Sequence, residues 1–316
     1  MNFKFVTTFR FLKIVGDDFS DFDLMPGVGI IREREKIRRI LSKEFKMNAG
    51  LIEYDHFYNA NHIIYGEFKD NFFNKDDSSG LALLTWLIWL DMLIYDSWLV
   101  KDNAFLCEIA YCNKSSKHYS EWSNNSLLGL NTLSSGEKFV DVEFDRNDLI
   151  KWEETSNKLQ TFLNDNNSTV FKTFISKEYS RYGRAYSFIK AARRDFNPAM
   201  KIAHYCSALE SLFSTDNTEL THKLSERVAV FLKDHGYDPV SVYEQIKSYY
   251  SIRSKVTHGD SLQGKKLEMI PDNSKEFDKI LRVIMNIIIS SDELIKLFDG
   301  DSASFDLYFK KKILCG

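Results

Sequence analysis

Arg253 and His258 are the two residues of this 316-residue chain whose types and spacing best suit chemistry on a phosphate. Arg253 follows Tyr249 by four residues and precedes Val256 by three, so a helical pattern places its guanidinium on the apolar stripe. A permanent charge is costly there unless it is paired or faces a ligand. His258 stands directly before Gly259, a residue that suits the left-handed position after a helix end.

An arginine and a histidine are a sufficient set for cleaving RNA without a metal ion. An imidazole titrates near neutral pH, so it can take the proton of a ribose 2′-hydroxyl or give one to the leaving oxygen. A guanidinium can bind a phosphate with two hydrogen bonds and offset the charge that develops in the transition state.

The spacing sets a geometric condition, because five residues of continuous helix correspond to about 140° of rotation. The side chains of Arg253 and His258 therefore converge only if the helix ends near Thr257 or if two copies of the chain face each other. The structural alternative is that Arg253 pairs with a core carboxylate such as Glu210, while His258 only ends the helix.

Three blocks along the second half of the chain extend this pattern: 207–213 (SALESLF), 219–229 (ELTHKLSERVA) and 250–259 (YSIRSKVTHG). In this order they resemble the HEPN superfamily and, more narrowly, its Apea-like group, which occurs in bacterial anti-phage proteins. The resemblance covers about residues 177–297. The residues before about 150 are similar only in outline to the mixed domains that precede this module.

The resemblance implies a helical bundle that dimerises, with an Arg-x4-His motif at a helix end. In such a dimer the two copies build a composite endoribonuclease site that needs no metal and no cofactor. Arg253 and His258 fit the motif as catalytic residues, and Glu210 matches an acidic position that could orient Arg253. Many members carry Asn, His or Asp after the arginine; this chain carries Ser254, which leaves the contribution of that position to catalysis open.

Further cations are candidate contacts to RNA phosphates. They are Lys255, Lys223, Arg227, Arg193 and Arg194. For Lys223 and Arg227 a structural role is the alternative, and for the cluster that holds Arg193 and Arg194 it is an ordinary solvated helix face.

The function that follows as an expectation is a HEPN-type endoribonuclease acting as a cytoplasmic anti-phage defence effector, of the abortive-infection or toxin kind. Its substrate would be RNA, with tRNA as one candidate, and its product a 2′,3′-cyclic phosphate or its hydrolysed form. The alternative is a non-catalytic HEPN dimerisation module that binds a nucleotide or a partner protein.

The surrounding pattern predicts an α+β protein, with a mixed, regulatory or sensing domain at 1–147 and an all-α bundle at 148–316. Phe3, Phe5, Phe9 and Phe11 alternate as in a strand. A second strand is expected around 105–112 with its two cysteines on opposite faces, and a third at 138–144. Asn273 and Glu276 have the spacing of a capping box that opens the last long helix.

Composition bounds the class of protein. The net charge of −3 excludes a globally basic nucleic-acid binder, although residues 171–316 alone carry +4 and the first 170 carry −7. The four scattered cysteines and the missing export signal predict free thiols in a reducing cytoplasm. The apolar run 80–100 has the length of a membrane span, but Asp91 near its middle favours a buried core helix.

Overall fold

The computed structural model describes residues 1–16, 19–69, 72–74, 76–126, 129–165, 179–216, 219–261 and 263–315. The chain divides into two compact units: an N-terminal unit of Met1–Asn131 with Phe139–Asn157, and a C-terminal unit of Thr132–Lys138 with Lys158–Gly316. An antiparallel sheet is followed by a helical region, which confirms the predicted α+β class. The boundary predicted at 147/148 lies within the same helix, Arg146–Asp165, as the division at 157/158.

The strands all belong to the N-terminal unit. They are β1 (Asn2–Thr7), β2 (Leu12–Ile14), β3 (Asp21–Met25), β4 (Val28–Ile31), β5 (Ile63–Lys69), β6 (Ala110–Ser116), β7 (Tyr119–Asn125) and β8 (Val142–Phe144). Six of them form a sheet in the order β3-β4-β5-β1-β6-β7 with antiparallel neighbours, while β2 and β8 pair in parallel.

The helices occur in both units. They are α1 (Arg34–Ile40), α2 (Lys43–Ala49), α3 (Leu51–Asn59), α4 (Ser79–Asp96), α5 (Arg146–Asp165), α6 (Arg181–Arg194), α7 (Pro198–Phe213), α8 (Leu220–Lys233), α9 (Pro239–His258), α10 (Lys265–Glu268), α11 (Ile270–Ile289), α12 (Asp292–Asp299) and α13 (Ser302–Cys315).

The six-stranded sheet is covered on both faces, because successive side chains of a strand point to opposite sides. Phe5 of β1 belongs to the core cluster that includes Trp86 of α4, with their rings stacked at 5.0 Å. Val6, the next residue, belongs to the other cluster, with Phe45 of α2 and Phe57 of α3. Helix α4 therefore packs on one face and α1–α3 on the other.

Within the described residues, one helical segment, Ser79–Leu99, is long and apolar enough to cross a membrane. Of its most apolar window, 56% is buried inside the protein. Burial of this kind is expected for the core helix of a soluble protein, as Asp91 indicated.

The strand predictions in this unit need correction. Strand β1 ends at Thr7, and Phe11 adopts a φ of 69°, which no strand residue has. The strand expected around 105–112 begins only at Ala110, and Cys107 and Cys112 are buried in one core cluster rather than on opposite faces. The alternation of the two cysteines between faces fails because residues 105–109 are not paired with β1. At Ile109 the carbonyl oxygen accepts instead from the side-chain hydroxyl of Thr7 at 2.6 Å. The third expected strand, 138–144, is reduced to Val142–Phe144.

Local signals define the ends of several helices of the C-terminal unit. Asp238 caps α9 by accepting from the Ser241 amide at 2.8 Å, and Pro239 occupies its first turn. Asn197 and Pro198 do the same for α7, where Asn197 accepts from the Ala199 amide at 2.9 Å. The apolar stripe of Ala185, Phe188, Ile189 and Ala192 predicts a helix over about 178–194, of which α6 has the part from Arg181 on, while residue 178 lies outside the described residues.

The predicted capping box at Asn273 and Glu276 is wrong. Helix α11 begins at Ile270, three residues earlier, with Pro271 in its first turn. A proline has no amide hydrogen to leave unpaired there, so the helix can start before it. The apolar pattern of the sequence continues from Phe277 to Leu294 and predicts one helix over it, but α11 ends at Ile289 and Leu294 belongs to α12.

The buried histidine of the N-terminal unit gives a prediction for pH dependence. His62 is 1% exposed, and burial, with a smaller effect of the Arg32 charge, lowers its pKa from 6.5 to about 3. Between pH 6.5 and pH 3, His62 is therefore protonated in the unfolded chain and neutral in the folded chain. Above pH 6.5 this proton uptake has no effect on the free energy of unfolding. From pH 6.5 down to pH 3 it lowers the free energy of unfolding by about 1.4 kcal/mol for each pH unit.

Urea unfolding at neutral and at mildly acidic pH measures this contribution. We expect His62→Gln to lose less stability on acidification than the wild type, and the exposed His118→Gln to behave as the wild type does. Equal acid sensitivity of wild type and His62→Gln would contradict the prediction.

Candidate functional site

The predicted catalytic arginine lies on α9 beside α7, where a carboxylate holds it. The Nη1 of Arg253 lies 3.1 Å from Oε1 of Glu210, and its Nη2 donates to Oε2 at 3.4 Å. Two contacts between the two ends of a guanidinium and the two oxygens of a carboxylate fix the plane of the arginine as well as its position. Glu210 thus occupies the position from which it can orient Arg253.

A tyrosine completes this cluster. The hydroxyl of Tyr250 lies 3.2 Å from Oε1 of Glu210 and 3.3 Å from the carbonyl oxygen of Cys206. Burial raises the pKa of Tyr250, so the phenol stays neutral and donates a hydrogen bond. The Arg253 guanidinium also lies 5.7 Å from the Tyr250 ring centroid. We call Glu210, Tyr250 and Arg253 the arginine cluster.

The arginine cluster remains accessible to solvent. The Arg253 side chain is 32% exposed and that of Glu210 is 23% exposed. An ion pair at this exposure contributes only about 0–1 kcal/mol to stability. Its larger effect is to hold the guanidinium in one orientation while part of it stays open to a ligand.

The predicted catalytic histidine is the last residue of the same helix. His258 is exposed, and Gly259 follows in the left-handed conformation, with a φ of 75°, as the sequence predicted. Among the residues that the structure describes, none forms a hydrogen bond with the His258 ring. Helix α9 ends at His258, one residue after Thr257, but it is helical from Arg253 to His258, so an end at this point does not by itself remove the rotation of about 140° between the two side chains. The second condition for convergence, a facing copy, remains.

The residues beside the motif arginine differ in exposure. Ser254 is exposed, and its hydroxyl has no hydrogen-bond partner among the described residues. Lys255 is half-buried, and its carbonyl oxygen accepts from the Asp260 amide at 2.8 Å, which closes the end of α9. Both residues lie between Arg253 and His258 in the last two turns of α9.

Arg227, a candidate phosphate contact, is engaged inside the C-terminal unit. Its side chain is 12% exposed and lies 2.5 Å from an Asp306 oxygen. It also donates to the Phe213 carbonyl at 2.6 Å and lies 5.6 Å from the Phe305 ring centroid. Of the two roles left open for Arg227, these contacts favour the structural one. Lys223 lies 3.0 Å from both carboxylate oxygens of Asp216.

Arg193 and Arg194 are the last two residues of α6, next to the start of α7. Arg193 is 1% exposed, so the prediction that it contacts RNA phosphates is wrong for this conformation. The carbonyl next to it, of Ala192, accepts from Lys201 in the first turn of α7 at 2.7 Å. Glu210 lies nine residues further along α7, about 14 Å away along the axis. Arg194 is exposed at this end, remote from the arginine cluster.

Sequence reasoning did not find Tyr250 as part of the site. Residues three apart on a helix share a face, so a tyrosine three before Arg253 was the available signal. Nothing in the sequence distinguishes it from Tyr249, which is also buried but stacks on Phe277 with ring centroids 4.4 Å apart.

Comparisons of the chain with protein-family models, with curated proteins and with solved structures found no match. Among the described residues, no group of three or more His, Cys, Asp and Glu side chains lies together in an arrangement that could hold a metal ion.

Proposed function

We propose that the C-terminal unit is a HEPN-type endoribonuclease that cleaves RNA without a metal ion. The observation that carries the proposal is the arginine cluster: a partly exposed Arg253, oriented by Glu210, on the same helix as an exposed terminal histidine. The three sequence blocks that resemble the HEPN superfamily lie on α7, on α8 with the residue before it, and on α9 with the glycine after it. The protein would act in the cytoplasm as an anti-phage defence effector, with RNA as substrate and tRNA as one candidate.

The chemistry assigns one task to each residue. The 2′-oxygen of a ribose attacks the adjacent phosphorus, and the bond from phosphorus to the 5′-oxygen of the next nucleotide breaks. His258 takes the proton of the 2′-hydroxyl or gives one to the leaving 5′-oxygen. Arg253 donates to the non-bridging oxygens, where negative charge increases in the transition state. The products are a 2′,3′-cyclic phosphate and a 5′-hydroxyl.

The geometry of α9 makes a second copy part of this proposal. Arg253 and His258 diverge on a continuous helix, so one chain cannot direct both at the same phosphate. Two helix ends that face each other would place the arginine of one copy near the histidine of the other. We therefore propose a homodimer with a composite site.

Incubation of the purified protein with tRNA and with total RNA in the presence of a chelator tests the activity. We expect upstream fragments whose 3′ end is a 2′,3′-cyclic phosphate, detected by their resistance to labelling at the 3′ end until the cyclic phosphate is removed. An oligonucleotide with 2′-O-methyl riboses should stay intact, because the attacking hydroxyl is blocked. Intact RNA after incubation with the wild type at high protein concentration would contradict the proposal.

The second candidate is a non-catalytic HEPN module that dimerises and binds a nucleotide or a partner protein. The Arg253–Glu210 ion pair favours it in one respect, since the pair is complete without any ligand. The two candidates differ in a direct measurement: a dimer that binds RNA or nucleotide but yields no cyclic phosphate supports the second.

A further inference from the structure

A cleft of about 210 Å³ lies on the face of the N-terminal sheet that α1–α3 cover, and neither the motif nor the proposed activity uses it. Its floor is formed by strands β5, β1, β6 and β7, and its rim by α1 and α2. The volume is below the range of about 300–1,000 Å³ typical of sites for drug-sized molecules, so it suits a smaller ligand.

The strand register lines up a row of polar and aromatic side chains across the cleft. Lys4 of β1 is directly opposite Asn113 of β6, and Asn113 is opposite Trp122 of β7. On the other side of Lys4, its partner on β5 is Glu67, two residues after Tyr65. Four neighbouring strands thus present a carboxylate, a cation, an amide and an indole in one line.

Two aromatic rings at the cleft are only half-buried. The indole of Trp122 lies edge-on to Phe45 at 5.9 Å and donates from Nε1 to Glu44 at 2.9 Å, which fixes its orientation. Tyr65 lies on β5, on the other side of β1 from Trp122, and its hydroxyl donates to Glu67 at 2.9 Å. Held aromatic rings with accessible surface are suited to stacking against a flat ligand ring.

Two cations at the cleft form no ion pair among the described residues, although the charge of Lys4 acts on both Glu44 and Glu67. Among the described residues, neither Lys4 nor Arg39 has a carboxylate oxygen within 4.0 Å, and both side chains are exposed. The two carboxylates nearby accept from neutral donors instead: Glu44 from Ser120 at 2.5 Å and from Trp122, and Glu67 from Asn2 at 2.7 Å and from Tyr65. Arg39 thus remains available to an anion, whereas the two carboxylates partly offset the charge of Lys4.

We propose that this cleft binds a nucleotide, with the base against Trp122 and the phosphate at Lys4 and Arg39. Both parts of the ligand are needed to use the cleft, since the indole offers a flat surface and the cations offer charge. The nucleotide can be free or part of a single RNA strand; the chemistry of the contact is the same. The site lies in the N-terminal unit and does not depend on RNA cleavage.

Calorimetric titration of the full chain tests the proposal. The probes are the four nucleoside 5′-monophosphates, the matching nucleosides, inorganic phosphate and a short single-stranded DNA oligonucleotide, which cannot be cleaved by 2′-hydroxyl attack. We expect at least one monophosphate to bind clearly more tightly than its nucleoside and than phosphate. A bound oligonucleotide without bound monophosphates would assign the site to a nucleotide within a strand.

Two variants and a neighbouring control make the test specific to the cleft. Arg39→Gln and Lys4→Gln change exposed residues, and each should weaken binding about tenfold, as expected for loss of one charge-assisted contact. Arg38→Gln, on the same helix but engaged by Glu35 and Tyr58, should bind as the wild type does. No binding of any nucleotide at millimolar concentration, or unchanged binding in both cleft variants, would overturn the proposal.

Discussion

Replacing His258 by alanine should reduce the rate of RNA cleavage by about 100-fold to 10,000-fold, the usual contribution of one general acid or base. The side chain is exposed and has no hydrogen-bond partner among the described residues, so its removal should leave the fold intact. The melting temperature of His258→Ala should therefore equal that of the wild type. The measurement is the initial rate of cyclic-phosphate formation under single-turnover conditions.

His235→Ala is the matched control for this prediction. His235 is also exposed but lies before the start of α9, whose 20 residues span about 30 Å. We expect it to cleave at the wild-type rate. Equal rates for His258→Ala and wild type would show that the activity, if present, comes from another site.

Replacing Arg253 by lysine should reduce cleavage by about 100-fold to 1,000-fold, although the charge is kept. Lysine is a point charge that cannot make the two parallel contacts to Glu210, so its ammonium group is not fixed in one plane. The exposure of the pair limits the loss of stability to about 1 kcal/mol or less. Cleavage rate and urea unfolding, measured on the same preparation, separate the two effects.

Arg184→Lys is the control for the arginine. Arg184 is half-buried like Arg253 and donates to the Tyr179 carbonyl at 2.6 Å, outside the arginine cluster. It should keep the wild-type cleavage rate. If Arg253→Lys also kept it, then Arg253 would have only the structural role of an ion pair with Glu210.

Glu210 acts on the reaction only through Arg253 in this scheme, so it is a positioning residue. Its carboxylate accepts from both Arg253 and Tyr250, which ties the guanidinium to α7. The tyrosine cannot take over this role as an anion, because burial raises its pKa. The orientation of the arginine therefore depends on a packing contact between two helices as well as on the motif itself.

The local sequence determined a large part of this architecture. Asp238 with Pro239, Pro198, and Gly259 mark helix ends by contacts within a few residues, and in the structure each of them lies at the end of a helix. The change from mixed to helical pattern likewise reported the α+β class, since periodicity follows directly from which face of an element is buried. The pairing of Arg253 with Glu210 was one of the alternatives from the sequence, because a charge on an apolar stripe needs a partner or a ligand.

Only the tertiary structure decided which element covers each face. The helical period places Arg193, four residues after Ile189, on the apolar stripe of α6, but only the packing shows that its charged side chain is buried there. Tyr250 joined the arginine cluster, and Tyr249 a stack with Phe277, through the neighbours that the fold supplied. The cleft of Lys4, Asn113 and Trp122 brings β1 together with β6 and β7, which follow it in the sequence by more than a hundred residues. Pairing at that distance depends on the whole sheet. The catalytic motif could thus be found in sequence, whereas its orientation and the second site belong to the fold.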